Sequence, residues 1–165
     1  MDDEWNDYFM GIAMAVSQKS HCLSHKFGAI AVNGDHCIVS TGYNGPPRGY
    51  PHCEPVDIKD ESFAGKGCPR RALGYKSGQG LHICPAAHAE RNVLINAARY
   101  GTRLHCCALY TTSPTPCREC AKDIVNAGIF VVYCNDAEYP EDGVSGLSIL
   151  EKCGIRVVRL PITVR

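Results

Sequence analysis

His88, Glu90, Cys117 and Cys120 are the residues of this chain whose types and spacing could do chemistry. They stand in two short runs, His88-Ala89-Glu90 and Pro116-Cys117-Arg118-Glu119-Cys120. One imidazole and two thiolates make a three-ligand zinc set, and a tetrahedral zinc with three protein ligands keeps its fourth position for water. Bound zinc lowers the pKa of that water to roughly 7, so hydroxide becomes available at neutral pH. Glu90 is two residues from the imidazole and is not needed to fill the shell, which leaves it to shuttle a proton. Each run alone is a weak signal. A lone His-x-Glu is usually ordinary helix surface, and a lone C-x-x-C is divided among structural zinc, thiol redox chemistry and chance. A redox use of the two thiols gives no task to His88 or Glu90.

The elements that must position these residues are two helices. Pro85 precedes His88, and the run Ala89 to Tyr100 is helical, with Gly101 as its C-terminal stop. Pro114 and Pro116 end the strand before Cys117 and suit a helix start, which then runs to Ala127. Cys117 and Cys120, three apart in a first turn, share one side of that helix. The partial positive charge of a helix N-terminus lowers thiol pKa and favours the thiolate that zinc needs.

Elsewhere the chain alternates helical and β patterns. Trp5, Tyr8, Phe9, Ile12, Ala13 and Val16 recur at helical spacing between Glu4 and Lys19. Phe27–Asn33 and Cys37–Tyr43 are short and β-rich, joined by the turn Asn33-Gly34-Asp35. Strands are predicted at His105–Thr112, Ile129–Cys134 and Ile155–Leu160, with a short helix at Ser145–Lys152. The order α-β-β-α-β-α-β-α-β implies a layered α/β domain with a mixed sheet. The stretch from Asn44 to about Pro85 reads as a long loop rich in Gly, Pro, Cys and charge. A loop of that length inside a compact domain is usually functional or pinned.

Composition sets the bounds. The 165 residues fit one domain, and an apolar fraction of 45% supports a real core. Seventeen basic residues equal seventeen acidic ones, and no basic run exists to track a phosphate backbone. That argues against a nucleic-acid substrate while leaving room for a local phosphate pocket. The acidic start Met1-Asp2-Asp3-Glu4 lacks a secretory pattern, and no apolar stretch approaches the ~20 residues that span a bilayer. A cytoplasmic location, or host cytoplasm for a viral protein, is the expectation, with no membrane partner. Eleven cysteines, an odd number, do not read as a disulfide framework here. Metal ligation and buried thiols explain them better, and Cys106, Cys107, Cys134 and Cys153 read as core.

Four stretches carry a family resemblance: Cys22 to Val32; Ser40 to Pro46; Cys68-Pro69-Arg70-Arg71 with Ser77 to Gly80 and Cys84 to Asn92; and Thr112 to Ala121. The last two hold the H-x-E and P-C-x-x-C spacing of zinc nucleobase deaminases. The first two, with the cysteine-studded insertion, resemble deoxycytidylate (dCMP) deaminases of the phage and bacterial type, over roughly residues 8–160. The resemblance implies a cytidine deaminase-like, three-layer α/β fold, its five-stranded mixed sheet flanked by helices. It implies one domain over 1–165 with an irregular insertion at about 46–85. It further implies hydrolysis of dCMP to dUMP and ammonia, with His88, Cys117 and Cys120 on zinc and Glu90 as acid and base. The Ser113 carbonyl would meet the exocyclic amine and the Ala89 N–H the base carbonyl. Asn44 matches the family's Tyr-Asn-Gly and is the candidate for the sugar hydroxyl; the other reading is a turn residue in the left-handed region. Arg48, Lys26 and Tyr139 are phosphate candidates, although an exposed Arg or Lys is more often a solvated charge.

Regulation and assembly also come with the resemblance. Members are often homohexamers, activated by dCTP and inhibited by dTTP with magnesium. Gly42, Tyr43, Asn44 and Gly45 resemble the effector loop, and Arg99 matches a position linked to the subunit interface. Arg99 also suits a helix C-terminus on charge alone. Family members often carry a second, structural zinc, for which Cys22 and Cys53 match best, then Cys84, then Cys68 or His82, with His52 a weaker choice. Ser24-His25 stands where an Arg pair is common, and Ala86 where some relatives use a carboxylate ligand. Two other readings stay open. One keeps the chemistry and changes the substrate, to dCTP, a tRNA adenosine, a free base or a riboflavin precursor. The other is an idle, zinc-stabilised binding module, against which an intact Glu90 argues.

Overall fold

Apolar residues at helical spacing near the start and short β-branched runs afterwards build a sheet covered on both faces. The computed structural model describes residues 3–53, 67–76, 79–137 and 145–161. Helix α1 (Asp3–Ser17) buries Phe9, Met10 and Ala13, one and four residues apart on one stripe. Trp5 and Tyr8 fall on the rim of that stripe, 39% and 56% exposed, and Trp5 stacks on His36 at 4.4 Å.

Strand β1 (Gly28–Val32) pairs antiparallel with β2 (Ile38–Tyr43). The Asn33 side chain organises their turn, accepting from the N–H groups of Asp35 at 3.0 Å and Cys37 at 2.9 Å. The turn therefore reaches one residue beyond Asp35, and His36 takes the left-handed position at φ 60°. Strands β3 (Ala108–Thr111), β4 (Val131–Asn135) and β5 (Arg156–Leu160) complete a five-stranded sheet of order β2-β1-β3-β4-β5. β1 runs antiparallel to β3, while β3, β4 and β5 run parallel. β1 and β3 are buried along their whole length, and β4 as far as Cys134. Such continuous burial requires cover on both faces. α1 covers one face through Ile30, Val32, Tyr110 and Tyr133, and the two tyrosine rings stack at 4.4 Å. The other face is covered by α3 (Ala89–Arg99), α4 (Arg118–Asn126) and α5 (Gly146–Lys152), packed on Ala29, Ala31, Leu109, Val132 and Cys134. This is the three-layer mixed-sheet architecture that the pattern and the resemblance imply.

The core placements of the cysteines divide. Cys107 and Cys134 are buried, whereas Cys106 and Cys153 are exposed. Cys106 occupies a turn at φ 63°, and Cys153 caps the C-terminus of α5 ahead of Gly154, so both leave the apolar segments beside them. None of the eleven cysteines forms a disulfide. The long insertion also carries structure. A four-residue helix, α2 (Pro69–Ala72), and a 3-10 turn at Leu81–Ile83 interrupt what the sequence reads as loop, because Pro69 pre-sets a helical φ at the first position. Residues 54–66, within the same insertion, and Tyr139 lie outside the described residues. No helix among the described residues is long and apolar enough to cross a membrane.

Candidate active site

The site forms where α3 and α4 begin. His88 and Cys117 are the N-caps of these helices, with extended backbones at φ −72°, ψ 158° and φ −64°, ψ 163°. Their carbonyls accept the first intrahelical bonds, from Asn92 at 3.0 Å and Ala121 at 2.9 Å, while their side chains turn toward each other instead of capping. His88 Nδ1 lies 3.3 Å from Cys117 Sγ and 3.5 Å from Cys120 Sγ, and the three ligand atoms fall within 4.8 Å of one another. α3 ends in a Schellman motif, with Gly101 at φ 66° and Thr102 N–H on the Ala97 carbonyl at 2.8 Å. An ion pair at 2.8 Å between Arg91 and Asp123 bridges α3 to α4, though with both side chains 40% exposed it adds only about 0.5 kcal/mol.

Glu90 is 3% exposed in the first turn of α3. A buried carboxylate needs donors, and two hydroxyls supply them. Ser113 Oγ donates to Glu90 Oε1, and Thr111 Oγ1 reaches the same oxygen at 3.2 Å. Thr111 and Ser113 are 3.0 Å apart through their own oxygens. The end of β3 thus fixes one oxygen of Glu90. The sequence reading gives no task to Thr111 and uses only the backbone of Ser113. Their i, i+2 spacing, which puts both on one face of an extended chain, was the available signal.

The charges explain why the ligand set suits a cation. The hydrogen bond from Cys120 holds the Cys117 thiol down at about 3, and His88 adds to the effect. The same Cys117 contact pushes His88 up, against the desolvation that opposes it, and Glu90 pushes it further. Cys120 goes strongly upward because it shares a proton with Cys117, is buried and faces Glu90. An N,S,S donor set fits zinc.

The site opens into a cleft of about 730 Å³, counted to its solvent-facing mouth. Ser24, His25, Phe27, Asn44, Ala86, Pro114 and Thr115 line it beside His88, Glu90, Ser113 and Cys117. Asn44 is 7% exposed and ties down the wall: its Oδ1 accepts from the Phe27 N–H at 2.8 Å and its Nδ2 donates to the His25 carbonyl at 2.9 Å. Among the described non-glycine residues only His36 and Cys106 have positive φ, so Asn44 is not a left-handed turn residue.

A family profile described as the cytidine and deoxycytidylate deaminase zinc-binding region matches residues 3–135. The chain belongs to this family. It is 32% identical over 154 residues to a deoxycytidylate deaminase of Schizosaccharomyces pombe, covering 93% of this chain and 43% of that protein. It is 37% identical over 131 residues to a deoxycytidylate deaminase of Mycobacterium phage D29, covering 76% of this chain and 90% of the phage protein. The fold is similar to that of a dCMP deaminase from the cyanophage S-TIM5, solved in complex with dCMP and dUMP. The TM-score is 0.73 at 27% identity, over 97% of this chain and 99% of the phage one. The chain spans less than half the length of the fission-yeast protein.

Within this family frame the remaining sequence candidates scatter. Ala89 is fully buried in the first turn of α3, and the Ser113 carbonyl already accepts from the Asn135 N–H at 3.0 Å. Lys26 is exposed and outside the cleft lining. Arg48 donates to Asn96 Oδ1 at 3.2 Å and lines a separate depression with Ser40, Thr41 and Tyr100. Arg99 is exposed at the end of α3, its guanidinium 6.0 Å from the Tyr100 ring. In the loop read as an effector site, Gly42 packs on α3, where a Cβ would meet Val93 N at 2.5 Å and Ala89 O at 2.6 Å. The Tyr43 carbonyl accepts from Asn92 at 2.7 Å, and Gly45 pairs with Ala87. Cys22, Cys53, Cys68 and Cys84 are all half-buried. Burial pushes the Cys53 thiol up, and Cys68, Cys84 and Cys22 add to it, but the ligand-spaced group among the described residues is His88, Cys117 and Cys120. His82 is exposed, with its ring edge-on to Tyr75, and His52 is near His21.

A second glycine tests how tightly the site is held. A Cβ on Gly146, at the start of α5, would meet Pro116 O at 1.8 Å and Cys117 C at 2.9 Å. Backbone must then move at the residue that supplies a ligand. Gly146→Ala is expected to cost about 1–3 kcal/mol, the usual scale of overpacking, and to lower zinc occupancy. Chemical denaturation and metal analysis of the purified variant check both.

Proposed function

We propose that the chain catalyses hydrolytic deamination of dCMP to dUMP and ammonia, supplying dUMP for thymidylate synthesis. The observation that carries this reading is the buried Glu90, pinned through one oxygen by Ser113 and Thr111, beside the His88, Cys117 and Cys120 ligand atoms. The cyanophage relative solved with dCMP and dUMP supports the choice of substrate. His88, Cys117 and Cys120 would hold zinc, which supplies a Lewis acid that makes water nucleophilic at neutral pH.

The chain's own residues do the rest. Glu90 takes a proton from the water that attacks C4 of the cytosine and delivers it to N3. It then takes the remaining proton from the hydroxyl added at C4 and passes it to the departing amine as the C4 carbonyl forms, so one carboxylate serves as base and acid in turn. Ser113 and Thr111 keep one Glu90 oxygen occupied, which leaves the other for the proton transfers. The Ala89 N–H is offered to the base carbonyl, the Ser113 carbonyl to the exocyclic amine and Asn44 to the sugar hydroxyl. The purified zinc protein, assayed on dCMP, dCTP, cytidine and adenosine, is expected to release ammonia from dCMP fastest. A zinc-loaded protein inert toward dCMP would refute the reading.

The resemblance carries three further parts of the proposal. A second, structural zinc on Cys22, Cys53, Cys68 and Cys84 rests on the resemblance, with the rise of the Cys53 thiol beside the other three as support. Closed four-ligand zinc contributes folding energy and would pin the insertion. Metal analysis is expected to return two zinc ions per chain, and one only would remove this part. Activation by dCTP and inhibition by dTTP with magnesium are supported by the depression that Arg48 lines with Thr41, Asn96 and Tyr100, outside the catalytic cleft. Homohexameric assembly is supported by the exposed apolar side chains of Ile38, Ile95 and Tyr100. A cytoplasmic location, in the host for a viral protein, accords with eleven free thiols.

A further inference from the structure

The cleft carries one basic and one acidic side chain of permanent kind among the described residues that line it: Arg70, from α2 of the insertion, and Glu90. Arg70 is half-buried and held by two neutral acceptors. Its Nε donates to the Gln79 carbonyl at 2.5 Å and its Nη2 to the Lys76 carbonyl at 3.2 Å. These bonds orient the guanidinium without neutralising it, and no carboxylate among the described residues pairs with it. Arginine has five N–H donors in a rigid fork suited to phosphate oxygens, and two of the five are used here. Phe27, Leu81, Ala86 and Pro114 make an apolar part of the lining, so an anion facing this fork is weakly screened. None of the cations named from sequence is in this position. Arg48 lines another depression and Lys26 lines none of the cleft.

We infer that Arg70 recognises the 5′-phosphate of the nucleotide and so sets the preference for a nucleotide over a nucleoside. The inference rests on the dCMP reading of the site. The two opposite charges also orient the ligand. A phosphate placed near Glu90 would meet a buried carboxylate, whereas the neutral base meets no such repulsion. The base therefore goes to Glu90 and the phosphate to Arg70. Ser24 and His25 line the same cleft without supplying a permanent charge. The insertion provides the cation that this segment lacks.

The test compares wild type, Arg70→Gln and Arg70→Lys, each with its metal content measured. Binding of dUMP and of deoxyuridine is read by calorimetry, and kcat and KM for dCMP are read separately. Arg70→Gln is expected to weaken dUMP binding and raise KM by about 100-fold, the scale of losing one desolvated charge partner. Deoxyuridine affinity and kcat should stay within about threefold, since the interaction is absent without the phosphate. Arg70→Lys should fall between, keeping the charge and losing the fork. Equal weakening of dUMP and deoxyuridine would assign Arg70 to loop shape alone, and unchanged dUMP affinity would assign the phosphate to another group; either result overturns the inference. A wild type that binds dUMP through Arg70 but leaves dCMP unreacted would instead overturn the catalytic reading and leave this one standing.

Discussion

Glu90→Gln is expected to slow dCMP deamination by about 10⁴-fold while the chain keeps its zinc. The substitution preserves the shape of a side chain that is 3% exposed. The amide oxygen can still accept from Ser113 and Thr111, so the contacts at the end of β3 survive. What is lost is the ability to carry a proton. A positioned acid or base contributes roughly 10²–10⁴-fold, and the upper end applies because the same group acts in both directions. Zinc should stay because Glu90 is not among the three clustered ligands. Removing its charge also relieves Cys120, whose thiol Glu90 helps to push up. Turnover and metal content on one preparation decide the matter. Undiminished turnover would move the proton shuttle elsewhere, and parallel loss of zinc would make Glu90 part of the metal site.

Much of this arrangement was legible before any coordinates. Helical spacing in the first residues and β-rich runs after them gave the order of the long elements, because each buries one face or two. The candidate site residues were legible because ligand chemistry restricts residue types at fixed spacing, and His88 and Cys117 both stand as N-caps. Cations in the loops were not legible. Arg48 and Arg70 lie in the same insertion and look alike in sequence, yet one is drawn to Asn96 on the outside of α3 and the other lines the cleft. Nothing periodic in the chain encodes that difference. Gly42 was read as part of an effector loop, and its visible task is to let β2 approach the backbone of α3. A close approach between distant elements leaves no local pattern beyond the glycine itself.

Cys120→Ala should lose one zinc per chain together with all measurable turnover, a fall of about 10⁴-fold or more. Cys120 is 1% exposed in the first turn of α4, and the change leaves only His88 and Cys117 as ligands. Two protein ligands do not make the three-ligand set that a catalytic zinc needs. The stability of the fold should drop as well, because ion binding here is also binding energy between the starts of α3 and α4. Cys53→Ala supplies the contrast. If Cys22, Cys53, Cys68 and Cys84 hold a second ion, this variant also falls from two zinc ions to one, but Glu90 and its three neighbouring ligands stay intact. The two variants would then share a metal count and differ in activity: Cys120→Ala inert, Cys53→Ala less stable yet able to turn over dCMP. A Cys53→Ala protein as inert as Cys120→Ala, with its catalytic zinc retained, would mean that the insertion shapes the cleft itself. That outcome fits the places of Cys22, Arg70 and Cys84 in the cleft lining, and it would show as a KM effect on dCMP before any loss of fold.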